Sequence, residues 1–190
     1  MRSRPARVHR ALWAALVASL LAGRPEAAVP ATLEPSVVAV VDFERLIRDS
    51  LAGRSLREQI DAQRSTFQAE VAEAEETLRA EDQELQRLQE SLDPTAFAER
   101  RQRFQAEVAE VQRMVQTRKQ ILDRAQGAGI DEIKKTTIDI IGEMAKEQGF
   151  NLVLSLSQVL LVDSDYDLTQ RVMDELNRRL PSVKVNFAPE

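Results

Sequence analysis

From Ile60 onward, apolar residues recur in alternating steps of four and three: Ile60, Phe67, Val71, Ala74, Leu78, Leu85, Leu88 and Leu92. Arg64 and Glu81 fill the two remaining places on the stripe. Steps averaging about 3.5 residues keep one helical face apolar, the signature of a coiled-coil seam. The stepping resumes as Phe97, Phe104, Val108, Val111, Val115, Leu122 and Ala125, interrupted by Arg101 and Arg118. Between the runs stands Pro94, the only proline or glycine between Gly53 and Gly127. Inside a helix a proline loses a hydrogen bond and clashes with the preceding turn, but at the first position of a new helix neither penalty applies. Asp93 is then the N-cap of that helix. The pattern predicts an antiparallel helical hairpin turning at residues 93–96. It sets Leu92 against Phe97, Leu85 against Phe104, Leu78 against Val111 and Phe67 against Leu122. Charge agrees: Arg54 to Leu92 holds ten acids and five bases, and Phe97 to Arg124 four acids and seven bases. An arm of about 40 residues would reach ~60 Å.

The flanks read differently. "SVVAVVDF" (Ser36 to Phe43) is β-branched and apolar on both parities, as a strand buried on both faces should be. Asp42 is the expected N-cap of one helix running through "FERLIRDSLAGRSLREQ", with Gly53 tolerated inside it at a cost of ~1 kcal/mol relative to alanine. Gly127 and Gly129 mark the return to the body, where Ile130, Ile133, Thr137, Ile140, Ile141 and Met144 continue an apolar face. Gly149 is a good C-cap. "FNLVLSLSQVLLVD" reads as a β-hairpin with a loose turn. A last helix is expected to start near Asp165 or Asp167 and run to Pro181, and "SVKVNF" alternates like a short strand.

The predicted fold class is therefore α+β: a small β-rich body of three or four strands, residues 32–50 and 127–190, carrying a coiled-coil arm, residues 51–126. A body that size is marginal alone. Its leftover strand edges and apolar faces call for an obligate homo-oligomer, with Val38, Val40, Leu152, Leu154 and Leu160 as the candidate oligomerisation residues.

Residues 1–31 change the inventory. Arg2, Arg4, Arg7 and Arg10 precede the apolar run Ala11 to Ala22, the order of a secretory signal. The run is shorter than the roughly 20 residues needed to span a bilayer. Export is the expectation and a retained N-terminal anchor the alternative. Cleavage would remove the only His (His9) and the only Trp (Trp13), and the chain has no Cys. Imidazole and thiolate chemistry would then be excluded, with the usual zinc and haem sites. Of 26 basic and 31 acidic residues, five and one lie in 1–31, which leaves 21 and 30 and a net charge of −9. That balance argues against nucleic acid as a partner. Carboxylate pairs on exposed helices, with no predicted pocket to shift their protonation, make an enzyme unexpected. No cofactor is expected.

The ends of the chain carry a resemblance. "VVAVVDFERLIRDS" behind a signal-like segment and "GFNLVLSLSQVLLVDSDYDLTQRVMDELNRRL" at the C-terminus resemble the Skp family, the OmpH-like periplasmic chaperones. The matching features are the opening strand running into Asp42, Gly149 before the paired strands, and Asp167 to Asn177 opening the last helix. The resemblance implies a jellyfish-like homotrimer, with a central body and three helical tentacles around a cavity. It implies a periplasmic holdase that works without ATP on unfolded outer-membrane β-barrel proteins. Well-known members are basic, whereas this chain without residues 1–31 is acidic, so contact with a membrane surface or lipopolysaccharide is disfavoured though left open. A structural or adaptor protein of the cell envelope, docking a partner at the hairpin tip, is the competing class.

Candidate client or tip contacts are Leu92, Phe97, Arg100, Arg101 and Arg103, the three arginines being the only dense basic patch. Phe67, Phe97 and Phe104 fall on the seam, where packing within the hairpin is the ordinary role; Phe97, nearest the tip, is the exception to test. Asp163, Asp165 and Asp167 are spaced like the start of a calcium loop. However, Leu168 stands where that loop needs Gly and Asp174 where it needs a bidentate Glu, so turn and cap duty is the better reading.

Overall fold

The computed structural model describes residues 35–188; the signal-like segment lies outside them. The order is β1 (Val38–Val41), α1 (Phe43–Asp49), α2 (Leu51–Leu88), α3 (Pro94–Gln148), β2 (Leu152–Ser155) and α4 (Thr169–Arg179), with single 3₁₀ turns at Leu156–Gln158 and Ser164–Tyr166. The chain is thus mostly helical, with one two-stranded sheet among the described residues. β1 and β2 are parallel, pairing Val38 with Leu152 through Val41 with Ser155. The alternation of side chains along a strand gives the sheet two distinct faces. Ala39 and Val41 enter the core, with Val153 packed against it. Val38, Val40, Leu152 and Leu154 share the opposite face.

Asp42 caps α1, accepting from the Arg45 amide at 2.9 Å. The predicted single helix over Phe43–Gln59 is corrected: it breaks at Ser50, whose backbone is extended (φ −65°, ψ 160°). Ser50 serves both sides of the break. Its amide donates to the Leu46 carbonyl at 3.2 Å, and its Oγ accepts from the Gly53 amide at 3.0 Å. The Leu51 amide, orphaned at the new N-terminus, donates to Asn177 Oδ1 on α4 at 2.7 Å. Gly53 is required here rather than tolerated, because a Cβ on it would lie 1.8 Å from the Ile47 carbonyl oxygen.

Asp93 accepts from the Thr95 amide at 2.9 Å, and Pro94 opens α3. At 1.5 Å per residue, α2 (38 residues) and α3 (55 residues) are about 57 and 82 Å long. They lie against each other, and Gly129 lets them close up: a Cβ there would meet Leu56 Cδ1 at 2.5 Å. α3 ends at Gly149, left-handed at φ 77°.

The core is built where the two long helices meet α1, β1 and α4. Leu46, Ile133, Val172 and Leu176 are fully buried there, with Leu56, Ile60, Ile140 and Leu168 around them. Two strand expectations are corrected. After β2 the chain turns through Leu156–Gln158 and forms no returning strand; the Val159 amide instead closes the turn onto the Leu156 carbonyl at 3.1 Å. "SVKVNF" keeps its alternation, with Val183, Val185 and Phe187 turned to the core, but it has no strand neighbour. Side chains meet this run and the residue after it: Gln59 donates to the Val183 carbonyl at 2.7 Å and Arg124 to that of Ala188 at 2.6 Å. α4 starts at Thr169, later than expected, because Asp163 and Asp167 cap their own turns, accepting from Asp165 at 3.1 Å and from Thr169 at 2.8 Å.

Ion pairs fasten α4 to α3. Arg179 donates to Glu143 at 3.0 Å and also bonds Glu175, which accepts from Arg178 at 2.9 Å. Hydrogen bonds from Arg178 and Arg179 hold the Glu175 carboxyl down at about 2, and Arg179 lowers Glu143 in the same way. Depressed carboxyls stabilise the folded chain above their ordinary value of 4.5, and that contribution is lost as pH falls towards about 2. Melting temperatures followed through that window are expected to drop more steeply in the wild type than in Arg179→Met, which lacks the pair in both limbs.

Candidate functional site: helix grooves and an outward sheet face

The α2–α3 seam is not closed along its length. Three open grooves follow it from base to tip. The basal one, about 460 Å³, has Ile47, Leu56, Ile60 and Ile130 in its walls. The middle one, about 340 Å³, is formed by Phe67, Val71, Val115 and Leu122. The third, about 280 Å³, brings Leu85, Phe97 and Phe104 together with Arg101. The expected partners Phe67 and Leu122, and Leu85 and Phe104, therefore line common grooves. A four-and-three stripe with polar residues on several seam positions does not fill the space between two helices: Leu56, Ile60, Phe67 and Leu85 are nearly buried at the floor of the grooves, while Val115 is 39% exposed.

Arg118 accounts for one interruption. Its guanidinium lies 4.5 Å from the centre of the Phe67 ring and 2.8 Å from Glu70 across the seam. A planar cation over an aromatic face, held by a carboxylate, packs where an aliphatic side chain would otherwise stand. Arg64 does the opposite. It turns outward to Asp61 on its own helix, at 2.7 Å, and forms rim to both the basal and middle grooves.

At the tip, Leu92 and Phe97 are half-buried and Arg100, Arg101 and Arg103 exposed. Arg103 faces Glu99 at 3.8 Å, and Arg101 lies on the groove of Phe97 and Phe104.

The proposed oligomerisation residues divide. Val40 is only 2% exposed within the single chain. Val38 and Leu154 are half-buried. Leu152 is 42% exposed and Leu160 wholly so, beside Leu161 at 91%. Sequence reading missed Leu161, Val37 and Tyr166, all exposed apolar residues of this region. The signal was present in the run "VLLVD", two adjacent leucines that a two-faced strand cannot both bury. No helix among the described residues is long and apolar enough to cross a membrane.

Comparison with known proteins adds three findings. The family model for OmpH-like outer membrane proteins matches residues 37–176. The crystal structure of an OmpH-like protein from Caulobacter crescentus CB15, assigned as an outer membrane chaperone, superposes with a TM-score of 0.72 at 18% identity. The match covers 83% of this chain and 94% of that one, so the two share the fold. No curated protein matches this chain.

Proposed function

The chain belongs to the OmpH-like family of outer membrane proteins, and on that footing we propose that it is an ATP-independent holdase chaperone of the periplasm. Its clients are unfolded outer-membrane β-barrel proteins, kept from aggregating before they insert. Three copies join through the outward sheet face and the Leu160–Leu161 segment, and the α2–α3 pairs project as coiled-coil hairpin arms around a shared cavity. Residues 1–31 are its export signal.

One observation carries this reading: two very long helices are held together with open apolar grooves along their seam. Such grooves suit many weak apolar contacts, each easily released. A barrel strand in transit offers the complement, since its lipid-facing residues and unpaired edges are exposed to water. The chain has no glycine-rich phosphate loop of the nucleotide-binding kind. With a net charge of −9 after residue 31, capture depends on the grooves more than on the overall field.

Purified protein without nucleotide is expected to suppress aggregation of an unfolded membrane β-barrel, and crosslinking is expected to give a trimer. A monomer that leaves aggregation unchanged would overturn the proposal. The double substitution Leu160→Asp, Leu161→Asp is expected to shift the particle mass from trimer to monomer with helix content intact, because neither side chain is buried in the protomer. Trimers surviving it would place the interface elsewhere.

A further inference from the structure

Beyond α4, residues 183–188 lie across the base of the α2–α3 pair. Val183 is 1% exposed, Val185 and Phe187 are half-buried, and Lys184, Asn186 and Ala188 are exposed. A burial period of two is that of an extended chain resting on one face. The surface beneath is apolar: the three inward residues pack with the cluster that includes Ile60 of α2 and Ala125 of α3.

The backbone of this segment is held by one long side chain from each helix. Gln59 on α2 donates to the Val183 carbonyl at 2.7 Å, and Arg124 on α3 to the Ala188 carbonyl at 2.6 Å. Leu56 meets Gly129 across the seam, and both donors lie on the tip side of that contact, so the segment crosses from α2 to α3 just beyond it. Successive carbonyls of an extended chain point to opposite edges, and the odd step from Val183 to Ala188 aims these two at different helices. At about 3.3 Å per residue the step covers about 17 Å, enough to pass obliquely over helices packed about 8–10 Å apart.

This grip uses only alternation and backbone carbonyls. The polar side chains of the segment face away; that of Asn186 bonds the nearby Ala188 amide, at 2.9 Å. No strand pairs with the segment among the described residues, so lifting it breaks no ladder. Parts of a fold held by few buried contacts and exposed hydrogen bonds open first. We propose that Gln59, Arg124 and the apolar surface between them form a binding track for extended chain segments of alternating apolar and polar residues, and that residues 183–188 are its resident occupant, displaced when such a segment arrives. The inference deepens the chaperone reading and rests on it for the incoming segment, since a strand of an unfolded membrane barrel has this alternation.

The chain has no cysteine, so a spin label at Lys184→Cys, an exposed position, reports the segment alone in the full-length protein. The probe is the free peptide SVKVNFA, and its control a peptide of the same composition with both valines and the phenylalanine adjacent. The label's spectrum is expected to narrow as the alternating peptide is added and to stay broad with the control. A tethered occupant competes at a high effective concentration. The full chain carrying Val185→Ser and Phe187→Ser is therefore expected to bind the alternating peptide about tenfold or more tightly than wild type in fluorescence anisotropy. A label that stays fixed at high peptide concentration, or one freed equally by both peptides, would overturn the proposal. Barrel aggregation is read separately: suppression that persists while the label stays fixed removes this track and leaves the chaperone reading standing, whereas a label freed in a protein that does not suppress aggregation supports the track and removes that reading.

Discussion

Replacing Gly53 with alanine is expected to lower the melting temperature by ~6–12 °C, which is about 3 kcal/mol at ~2–4 °C per kcal/mol for a chain of this size. In most helices the same change stabilises by up to ~1 kcal/mol, since alanine loses less backbone entropy on folding. Here the added methyl would sit 1.8 Å from the Ile47 carbonyl oxygen. The obstacle is backbone of the preceding helix, not the flexible end of a side chain, so relief requires the α1–α2 break to open. That break is held by the Ser50 cap and by Asn177 on Leu51, both of which would be disturbed together. Gly127 supplies the control. It is also helical, but an added Cβ meets nothing within 4 Å, and Gly127→Ala is expected to raise the melting temperature by a few degrees. Circular-dichroism melts of the two variants should move in opposite directions; a neutral Gly53→Ala would mean that the break is not a close contact in solution.

Ile133→Ala is expected to cost about 2–5 kcal/mol in urea unfolding, the range for emptying a well-packed site. Ile133 has no exposed surface and belongs to the cluster that joins Leu46 of α1, Leu56 of α2 and Leu176 of α4. Its neighbour one turn on, Thr137, is equally buried and donates its hydroxyl to the Ile133 carbonyl at 2.8 Å. Both sides of the hole are thereby held in place, and collapse into it is limited. Ile133→Val, which removes a single methylene, should cost only about 0.5–1.5 kcal/mol. A cost for Ile133→Ala below that of the valine variant would show that this core is not a main support of the protomer.

Local chemistry made much of this legible in advance. Asp93 with Pro94, Asp42 and Gly149 each act within a few residues of themselves, and each caps the helix end that the sequence assigns to it. The four-and-three stripe likewise indicated which residues of α2 and α3 share a groove. What misled was apolar alternation without a stated neighbour. Leu152–Ser155 and Val183–Phe187 both alternate, yet whether such a segment becomes a strand depends on a backbone partner far away in sequence. Val37 and Asn151, whose amide and carboxamide groups bond at 2.9 Å, are 114 residues apart. The break at Ser50 was hidden for the same kind of reason: its stabilising acceptor is Asn177, 126 residues away. At the site, the seam interruptions Arg64 and Arg118 were visible as irregularities, but their different roles came from their partners, Asp61 on the same helix for Arg64 and Glu70 and Phe67 across the seam for Arg118.

The parallel pairing of Val38 with Leu152 also sets an order of assembly. Parallel strands separated by so long an excursion face a large loop-closure entropy, and a sheet of high contact order forms slowly. The excursion is itself a pair of helices whose residues meet progressively from the turn at Asp93 and Pro94. Zipping them together brings the two strands within reach, so that each further closure spans only a short loop. The expected sequence is therefore from tip to body, with pulse-labelled hydrogen exchange protecting α2 and α3 before β1 and β2; simultaneous protection of all four would discard it. On this route the edge-bearing sheet is the last element to form, and the face proposed for joining copies does not exist until each protomer is otherwise complete.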